Sequence, residues 1–293
     1  MTSVAVWVSG ARPRTLPAAV VPVLIGTAVA VNEQSPTTNI LLARGGLALI
    51  VSLALQVAVN YANDYSDGVR GTDDHRQGPQ RLVASGAASS SAVKRAALLA
   101  FVVAGVAGLV LAMATTWWLI GVGLLCIGAG WLYTGGPKPY GYLGLGEVFV
   151  FVFFGLVATA GTKFVITESL SSLAFVSGSV AGFLAVALLV VNNIRDLDND
   201  RVSGKMTLAV RLGSRRARAL YVGIFAATAL CIIAAASQVI LVLVALVGLL
   251  AALPAINTVR HATSAKELIT ALGMTARVQL IVGVLYAVGL VIQ

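Results

Sequence analysis

Apolar stretches of membrane-crossing length recur from one end of this 293-residue chain to the other. About 17–25 apolar residues wound as an α-helix cover the roughly 30 Å of hydrocarbon in a bilayer. Nine such stretches lie at about 16–32, 40–60, 94–113, 116–134, 144–164, 171–192, 219–236, 238–256 and 277–293. The chain is therefore expected to be all-α, a polytopic membrane helix bundle of about nine transmembrane helices forming one integral-membrane domain over 1–293. Its charge content agrees, since 11% of its residues are charged against roughly 25% in soluble domains. Residues 1–14 hold only a short apolar run at Val4–Val8 and no basic segment ahead of it. A cleaved signal peptide is not expected there, and the first span serves as the insertion signal.

A net charge of +9 raises the question of nucleic acid, and its placement answers it. Put the N-terminus and the loops after the second, fourth, sixth and eighth stretches on one side of the membrane. All of the 20 Lys and Arg except Arg44 and Lys163 then fall on that side. The positive-inside bias makes that side cytoplasmic. The expectation is a multi-pass protein of the cell membrane, with the N-terminus cytoplasmic, the C-terminus outside, the lipid bilayer as partner and no nucleic acid. Cys126 and Cys231 lie far apart in apolar spans without CxxC spacing and read as buried small hydrophobes. His75 and His261 have no HxxxH partner; His75 is near enough to the first polar run to be a candidate for touching substrate.

Two short polar runs break the apolar pattern: Asn60-Tyr-Ala-Asn63-Asp64-Tyr-Ser-Asp67 and Asn192-Asn193-Ile-Arg195-Asp196-Leu-Asp198-Asn-Asp200. Each opens Asn-x-x-x-Asp and closes a long apolar stretch. An acidic side chain at mid-membrane costs roughly 2.5–3.5 kcal/mol on insertion scales, so such residues mark function. On a helix, Asn60, Asp64 and Asp67 share a face, as do Asn193, Asp196 and Asp200, with Asn192 one turn before Asp196. Both runs are followed by a loop rich in Gly, Arg and Asp and end on the same side, as in a weak internal duplication. A parallel pseudo-repeat would bring them face to face across a central cavity opening to the cytoplasm. Opposed carboxylates and amide oxygens with room for water suit Mg²⁺, which binds through one or two carboxylates plus substrate phosphates. Two Mg²⁺ ions with a diphosphate would settle the charge of four acids. Arg195, with Arg70, Arg81, Lys138, Lys205 and Arg211 on the same side, fits a phosphate-bearing substrate as well as the topology bias. A third segment, Tyr133-Thr-Gly-Gly-Pro-Lys138-Pro-Tyr140-Gly-Tyr142-Leu-Gly-Leu-Gly-Glu147, breaks the helix at the surface with tyrosines suited to the interface. Glu147 lies just inside the next span, and no strand precedes Gly144-Leu-Gly146, which excludes a dinucleotide fingerprint.

These segments together resemble the UbiA superfamily of intramembrane prenyltransferases, most closely its branch acting on 1,4-dihydroxy-2-naphthoate. The resemblance covers the whole chain. It rests on Ala11-Arg-Pro-Arg-Thr-Leu-Pro17 with Pro22 and Gly26, on both acidic runs, and on Gly78-Pro79 with Arg81. It extends to Tyr133-Thr-Gly-Gly-Pro137 through Glu147 and to Lys205-Met-Thr-Leu-Ala-Val-Arg-Leu-Gly213. One departure stands out. The superfamily pattern has a last Asp four residues after the second acidic position, where this chain has Gly68, with Asp67 one step earlier and Asp73 as a possible substitute.

The resemblance implies transfer of a polyprenyl chain from polyprenyl diphosphate to 1,4-dihydroxy-2-naphthoate with loss of diphosphate and CO₂, giving demethylmenaquinone. It implies Mg²⁺ held by Asn60, Asp64, Asp67, Asp196 and Asp200, with Lys138 and Arg195 neutralising the leaving diphosphate. Asp64, Asp196, Lys138 and Arg195 are the expected catalytic residues. Asn60, Asn192, Arg81, Arg12, Tyr65, Tyr133 and Tyr140 are expected to bind substrate. Tyr61, Tyr65, Tyr133, Tyr140 and Phe149 are candidates to stabilise an allylic cation through their ring faces. Arg12, Arg14 or Arg81 would hold the acceptor carboxylate, and the prenyl tail would leave between spans into lipid. The alternatives are another acceptor within the superfamily (4-hydroxybenzoate, a phytol-pathway aromatic, haem or a sugar phosphate) or a cation-coupled transporter. A transporter places its polar residues near the midplane, whereas these cluster at the cytoplasmic ends of spans.

Overall fold

A computed structural model of the chain describes residues 3–73 and 81–292. His75, Arg76, Gly78 and Pro79 lie outside the described residues. Regular structure among those described is entirely helical. A short helix α1 (Val4–Ala11) and a 3₁₀ turn at Pro13–Thr15 precede α2 (Pro17–Gln34) and α3 (Thr38–Val69). Then come α4 (Ser90–Ala114), α5 (Trp118–Leu132), α6 (Gly146–Thr167), α7 (Ser172–Val202) and α8 (Leu208–Ala236). The chain ends with α9 (Ile240–Leu249), α10 (Ala252–His261) and α11 (Ala265–Val291).

Polar residues mark where these helices begin. Ser89, Ser171 and Thr207 accept N–H bonds at the starts of α4, α7 and α8. Ser264 and Glu267 form a reciprocal capping box on α11. Pro17 stands in the first turn of α2, where its missing N–H costs nothing. Each of the nine apolar stretches is helical, but they are unequal. Among the described residues seven helices are long and apolar enough to cross a membrane, and α9–α10, bent by 41°, counts as an eighth if taken as one span. Helix α5 has 15 residues, about 22 Å at 1.5 Å per residue, short of the hydrocarbon thickness. The nine crossings expected from the sequence thus become seven or eight by length, the difference lying in α5 and the bent pair.

Packing is closest where both helices offer glycine. A Cβ on Gly155 of α6 would stand 2.5 Å from the Cα of Gly182 on α7. Such backbone approach replaces the hydrophobic drive that lipid removes. Leu99, Val102, Val106 and Met113 of α4 and Leu124 and Leu125 of α5 are exposed and face outward, the expected surface toward lipid. The two ends of the bundle differ in charge. Arg44 pairs with Glu168 at 2.8 Å and donates to the carbonyls of Val165 and Ala114. Lys163, 1% exposed, pairs with Glu33 at 3.0 Å and donates to Ser169 Oγ at 2.7 Å. The two cations that the sequence separates from the rest therefore meet at one end, each neutralised by an acid. Helix α2 runs from that end to Thr15, which touches Asn60 at the other. Gly155→Leu is expected to lower the melting temperature of the purified protein in detergent, corresponding to about 1–3 kcal/mol or more. An unchanged melting curve would show that α6 and α7 need no close approach.

Candidate active site

Both acidic runs occupy the last turns of long helices, α3 and α7, and the structure brings them to the same end of the bundle. Asn199 Nδ2 donates to the Thr72 carbonyl at 2.7 Å, and Lys205 Nζ pairs with Asp67 Oδ2 at 3.0 Å, so the two segments touch. Between them opens a cavity of about 780 Å³. Its polar wall holds Asn60, Asn63, Asp64, Arg81, Asn192 and Arg195, with Arg12 and Arg14 beside them. Its far end is apolar, reaching Leu111, Leu119 and Val165 near the Arg44–Lys163 end. Leu109, Ile120 and Leu124 line the cavity and are also exposed on the outer surface. Leu109 on α4 and Ile120 and Leu124 on α5 form this apolar side of the cavity.

Each acid near the cavity meets positive charge or N–H groups. Asp64, 1% exposed, accepts the backbone N–H groups of Leu82 and Val83, one on each carboxylate oxygen, both at 2.9 Å. Asp196 receives a two-pronged bond from Arg195, Nε to Oδ1 at 2.8 Å and Nη2 to Oδ2 at 2.6 Å. The same guanidinium donates to Asn192 Oδ1 at 2.7 Å. Asp73, which is buried, pairs with the half-buried Arg81 at 3.1 Å. Asp67 holds Lys205 and accepts from Tyr142 Oη at 2.9 Å, and Thr72 in turn bonds that phenol at 2.9 Å. Burial alone would pull the Lys205 ammonium down; the Asp67 and Asp200 carboxylates outweigh it and hold the group above its ordinary value. Burial first, and Asp67 second, push the Tyr142 phenol up. Lys205 therefore stays cationic across the working pH range.

The second wall is aromatic. Tyr133, Tyr140, Phe149 and Phe153 line the cavity as a ladder, with ring centroids 5.4, 3.8 and 6.0 Å apart in that order. Glu147 Oε1 accepts from Asn193 Nδ2 at 3.0 Å, which accounts for an acid just inside α6.

Of the residues singled out in the sequence, Asn60, Asp64, Arg81, Tyr133, Tyr140, Asn192, Arg195 and Arg12 line the cavity. Asp67, Asp196 and Asp200 are buried behind its wall. Lys138 is exposed on the surface and does not line the cavity, whereas Lys205 pairs with Asp67. Tyr65 stacks on Trp131 at 6.3 Å beneath Lys94, and Tyr61 donates to the Trp7 carbonyl at 2.8 Å, both outside the lining. Cys126 is a half-buried thiol on the apolar wall. Sequence reasoning passed over Thr15, Gln56 and Asn63. Gln56 stands one turn before Asn60 as an uncharged polar residue inside an apolar span, a signal that was available. Asn63 Oδ1 accepts from Thr134 Oγ1 at 2.8 Å, tying α3 to the loop after α5.

The departure at Gly68 has a packing cause. A Cβ there would stand 2.6 Å from Val83 Cβ, so a side chain at 68 would expel the 81–83 segment that Asp64 holds. Among the described residues no three Asp, Glu, His or Cys side chains converge as a ready-made metal cage. The donor set nonetheless suits Mg²⁺, which takes one or two carboxylates and completes its shell with water and phosphate. Asp64 and Asn60 offer hard oxygens to the cavity, and the N–H bonds from Leu82 and Val83 fix the Asp64 carboxylate while leaving it further lone pairs.

The chain belongs to the UbiA prenyltransferase family, whose pattern matches residues 19–289. It is 51% identical to the 1,4-dihydroxy-2-naphthoate octaprenyltransferase of Mycobacterium leprae (strain TN), over 78% of this chain and 76% of the relative. It is 45% identical to the protein of the same description from Mycobacterium tuberculosis, over 96% and 95% of the two chains. The fold matches a UbiA homologue from Aeropyrum pernix K1 with a TM-score of 0.66 at 20% identity, over 92% and 97% of the chains. A UbiA homologue from Archaeoglobus fulgidus, solved with GPP and Mg²⁺, matches with a TM-score of 0.63 at 14% identity, over 97% and 99%.

Gly68→Asp restores the superfamily acid and is expected to lower the melting temperature and activity together, because it displaces Val83. Retained stability with unchanged or higher activity would show instead that position 68 tolerates a third acid.

Proposed function

We propose that the protein transfers a polyprenyl group from polyprenyl diphosphate to 1,4-dihydroxy-2-naphthoate, releasing diphosphate and CO₂. The observation that carries this reading is a cavity with residues of both acidic runs and arginines at one end and an apolar wall beyond. The names of the relatives in two mycobacterial species supply the acceptor.

In this reading the diphosphate lies at the polar end among Asn60, Asp64, Asn192 and Arg195. Mg²⁺, present with GPP in the Archaeoglobus homologue, supplies Lewis-acid polarisation of the leaving oxygens. Asp64 and Asn60, which line the cavity, would hold it; Asp196 and Asp200, buried behind the wall, would have to turn into the cavity to join them, and Asp67 and Asp73 stay behind in their pairs with Lys205 and Arg81. Arg195, held in place by donating to Asp196, turns its remaining guanidinium N–H groups to the phosphate oxygens as negative charge builds there. The allylic C–O bond breaks, leaving its electron pair on diphosphate. The Tyr133–Tyr140–Phe149 ladder faces the carbon that becomes positive, and the apolar wall keeps water from it. The ring carbon bearing the carboxylate attacks that carbon. The C–CO₂ bond then breaks, returning its electron pair to the ring and giving the prenylated naphthoquinol. The tail lies along the apolar wall and leaves between α4 and α5 at Leu109, Ile120 and Leu124.

The same reading places the N-terminus, the acidic runs and the cavity mouth on the cytoplasmic face of the cell membrane. Counting α5 and the bent α9–α10 as crossings makes nine and sets the C-terminus outside.

The test is product formation in liposomes containing Mg²⁺, polyprenyl diphosphate and either 1,4-dihydroxy-2-naphthoate or 4-hydroxybenzoate, read by mass spectrometry. Prenylated naphthoquinol with CO₂ is expected, and prenylation of the benzoate alone would overturn the acceptor. Asp64→Ala is expected to cut transfer by about 100-fold or more, and Lys205→Ala, acting through Asp67, by about 10–100-fold. Chelation of Mg²⁺ should abolish turnover, and its return should restore it; a rate indifferent to chelator would remove the metal from the scheme.

A further inference from the structure

Glycines inside the helices of this bundle have two different kinds of surroundings. Gly26 and Gly155 stand where a Cβ would strike the backbone of a neighbouring helix, at Thr159 and Gly182 respectively. Gly108 on α4, Gly123 on α5 and Gly161 on α6 are placed in the opposite way. All three line the cavity, and a Cβ on any of them would meet no atom within 4 Å. Packing among the described residues therefore does not call for glycine at these positions, and glycine is among the poorest helix formers. A side chain there would clear the protein and stand in the cavity.

The three glycines share one depth. Gly108 lies six residues before the end of α4, Gly123 five after the start of α5, and Gly161 six before the end of α6. Arg44 bonds the carbonyls of Ala114 on α4 and Val165 on α6, which keeps those helix ends level. At 1.5 Å per residue the glycines stand about 7.5–9 Å from that end, a ring contributed by three helices. Beyond the ring Leu111, Leu119 and Val165 line the cavity, packed in one apolar cluster with Ala48 and Ile166. The Arg44–Glu168 pair and the Arg44 bonds to carbonyls close this floor. Phe149, at the polar end of the apolar wall, precedes Gly161 by 12 residues, about 18 Å along α6.

We propose that Gly108, Gly123 and Gly161 form a collar that admits the far isoprene units of a long donor, and that these positions set the prenyl length the protein accepts. The proposal rests on the prenyl-transfer reading above and deepens it by naming the residues that select the donor. With the diphosphate among Asn60, Asp64 and Arg195, the chain runs past Phe149 toward the collar. A geranyl chain has seven C–C bonds along its backbone, at most about 11 Å at roughly 1.5 Å each, and ends short of the collar. An octaprenyl chain reaches it and, stopped by the floor, turns aside at Leu109, Ile120 and Leu124. Dispersion contacts with the collar accrue only to a chain long enough to arrive there. A side chain in the collar therefore obstructs the long donor and leaves the short one untouched.

The test compares two donors on the full-length protein in detergent with Mg²⁺. Dissociation constants of geranyl diphosphate and octaprenyl diphosphate are measured by titration calorimetry. Gly123→Leu and Gly161→Leu are each expected to weaken octaprenyl diphosphate about 10–100-fold relative to geranyl diphosphate. Gly123→Ala and Gly161→Ala should shift the ratio in the same direction by less, and they decide the question where a Leu variant melts early. Gly128 on α5 is the control, since its Cβ would also meet nothing within 4 Å but it does not line the cavity. Gly128→Leu should leave the ratio as in the wild type. A ratio unchanged in the Gly123 and Gly161 variants overturns the collar and leaves the prenyl-transfer reading standing. So does affinity lost equally for both donors, or the same shift in Gly128→Leu. A wild type that binds neither donor overturns both.

Discussion

The arrangement depends on neutralising acids placed where acids are least welcome. Both acidic runs occupy the final turns of α3 and α7, where the helix macrodipole already carries roughly half a negative charge. Burial at the membrane edge adds a desolvation cost, and the convergence of two such ends adds mutual repulsion. Several contacts at this end answer that problem. Arg195 turns onto Asp196, Lys205 reaches across to Asp67, Arg81 meets Asp73, and Asp64 takes two backbone N–H groups. The loops after α3 and α7 are therefore held by the acids, and the cavity mouth takes its shape from ion pairs more than from apolar packing. An assembly with so much negative charge at helix C-termini favours any further cation that arrives, and a Mg²⁺–diphosphate unit brings cation and anion for the acids and the arginines alike.

The opposite end follows the same rule at smaller scale. Lys163 is almost fully buried, yet Glu33 and Ser169 surround its ammonium. Arg44 ties the ends of α4 and α6 together through carbonyls and Glu168. With ion pairs closing both ends, the space between is left to apolar and aromatic side chains, which is what a long hydrocarbon chain and a short-lived carbocation each require. The cost of burying these charges is offset by hydrogen bonds on nearly every donor, the condition under which buried pairs persist.

How much of this was legible in the sequence depends on the range of the interaction. Apolar length placed the helices, and i, i+4, i+7 spacing put Asn60 and Asp64 on one face, because both are local properties of a helix. The shortness of α5 and the bend between α9 and α10 were hidden, since an apolar run reads alike whether it crosses the membrane straight, bent or only part way. Of the two lysines, Lys205 sits among the acids and Lys138 does not, and nothing local distinguishes them. One lies in a turn that folds back onto Asp67, the other at the tip of a loop held out by Pro137 and Pro139. Tyr65 follows Asp64 in the chain but points to Trp131 and Lys94, as helical rotation by about 100° per residue demands. The bonds from Gln56 and Asn60 to the Thr15 hydroxyl were out of reach for a different reason: they join α3 to the 3₁₀ turn, some 40 residues apart in sequence.

The shift from an acid at position 68 to Asp67 shows how such a site changes without losing its charge balance. Position 68 lies one turn beyond Asp64, on the side where Leu82 and Val83 approach. Glycine there lets the segment close down until its N–H groups reach the Asp64 carboxylate, a contact a side chain would prevent. Moving the acid back to 67 rotates it toward Tyr142 and Lys205, where it anchors the loop after α7 instead of facing the cavity. What is lost as a direct oxygen donor is regained as rigidity. Asp64 is oriented by two N–H bonds, and the Lys205 side chain is fixed between the two acidic runs. A carboxylate held this way needs little rearrangement to take up a cation, and preorganisation of that kind lowers the cost of binding more than an additional mobile ligand would.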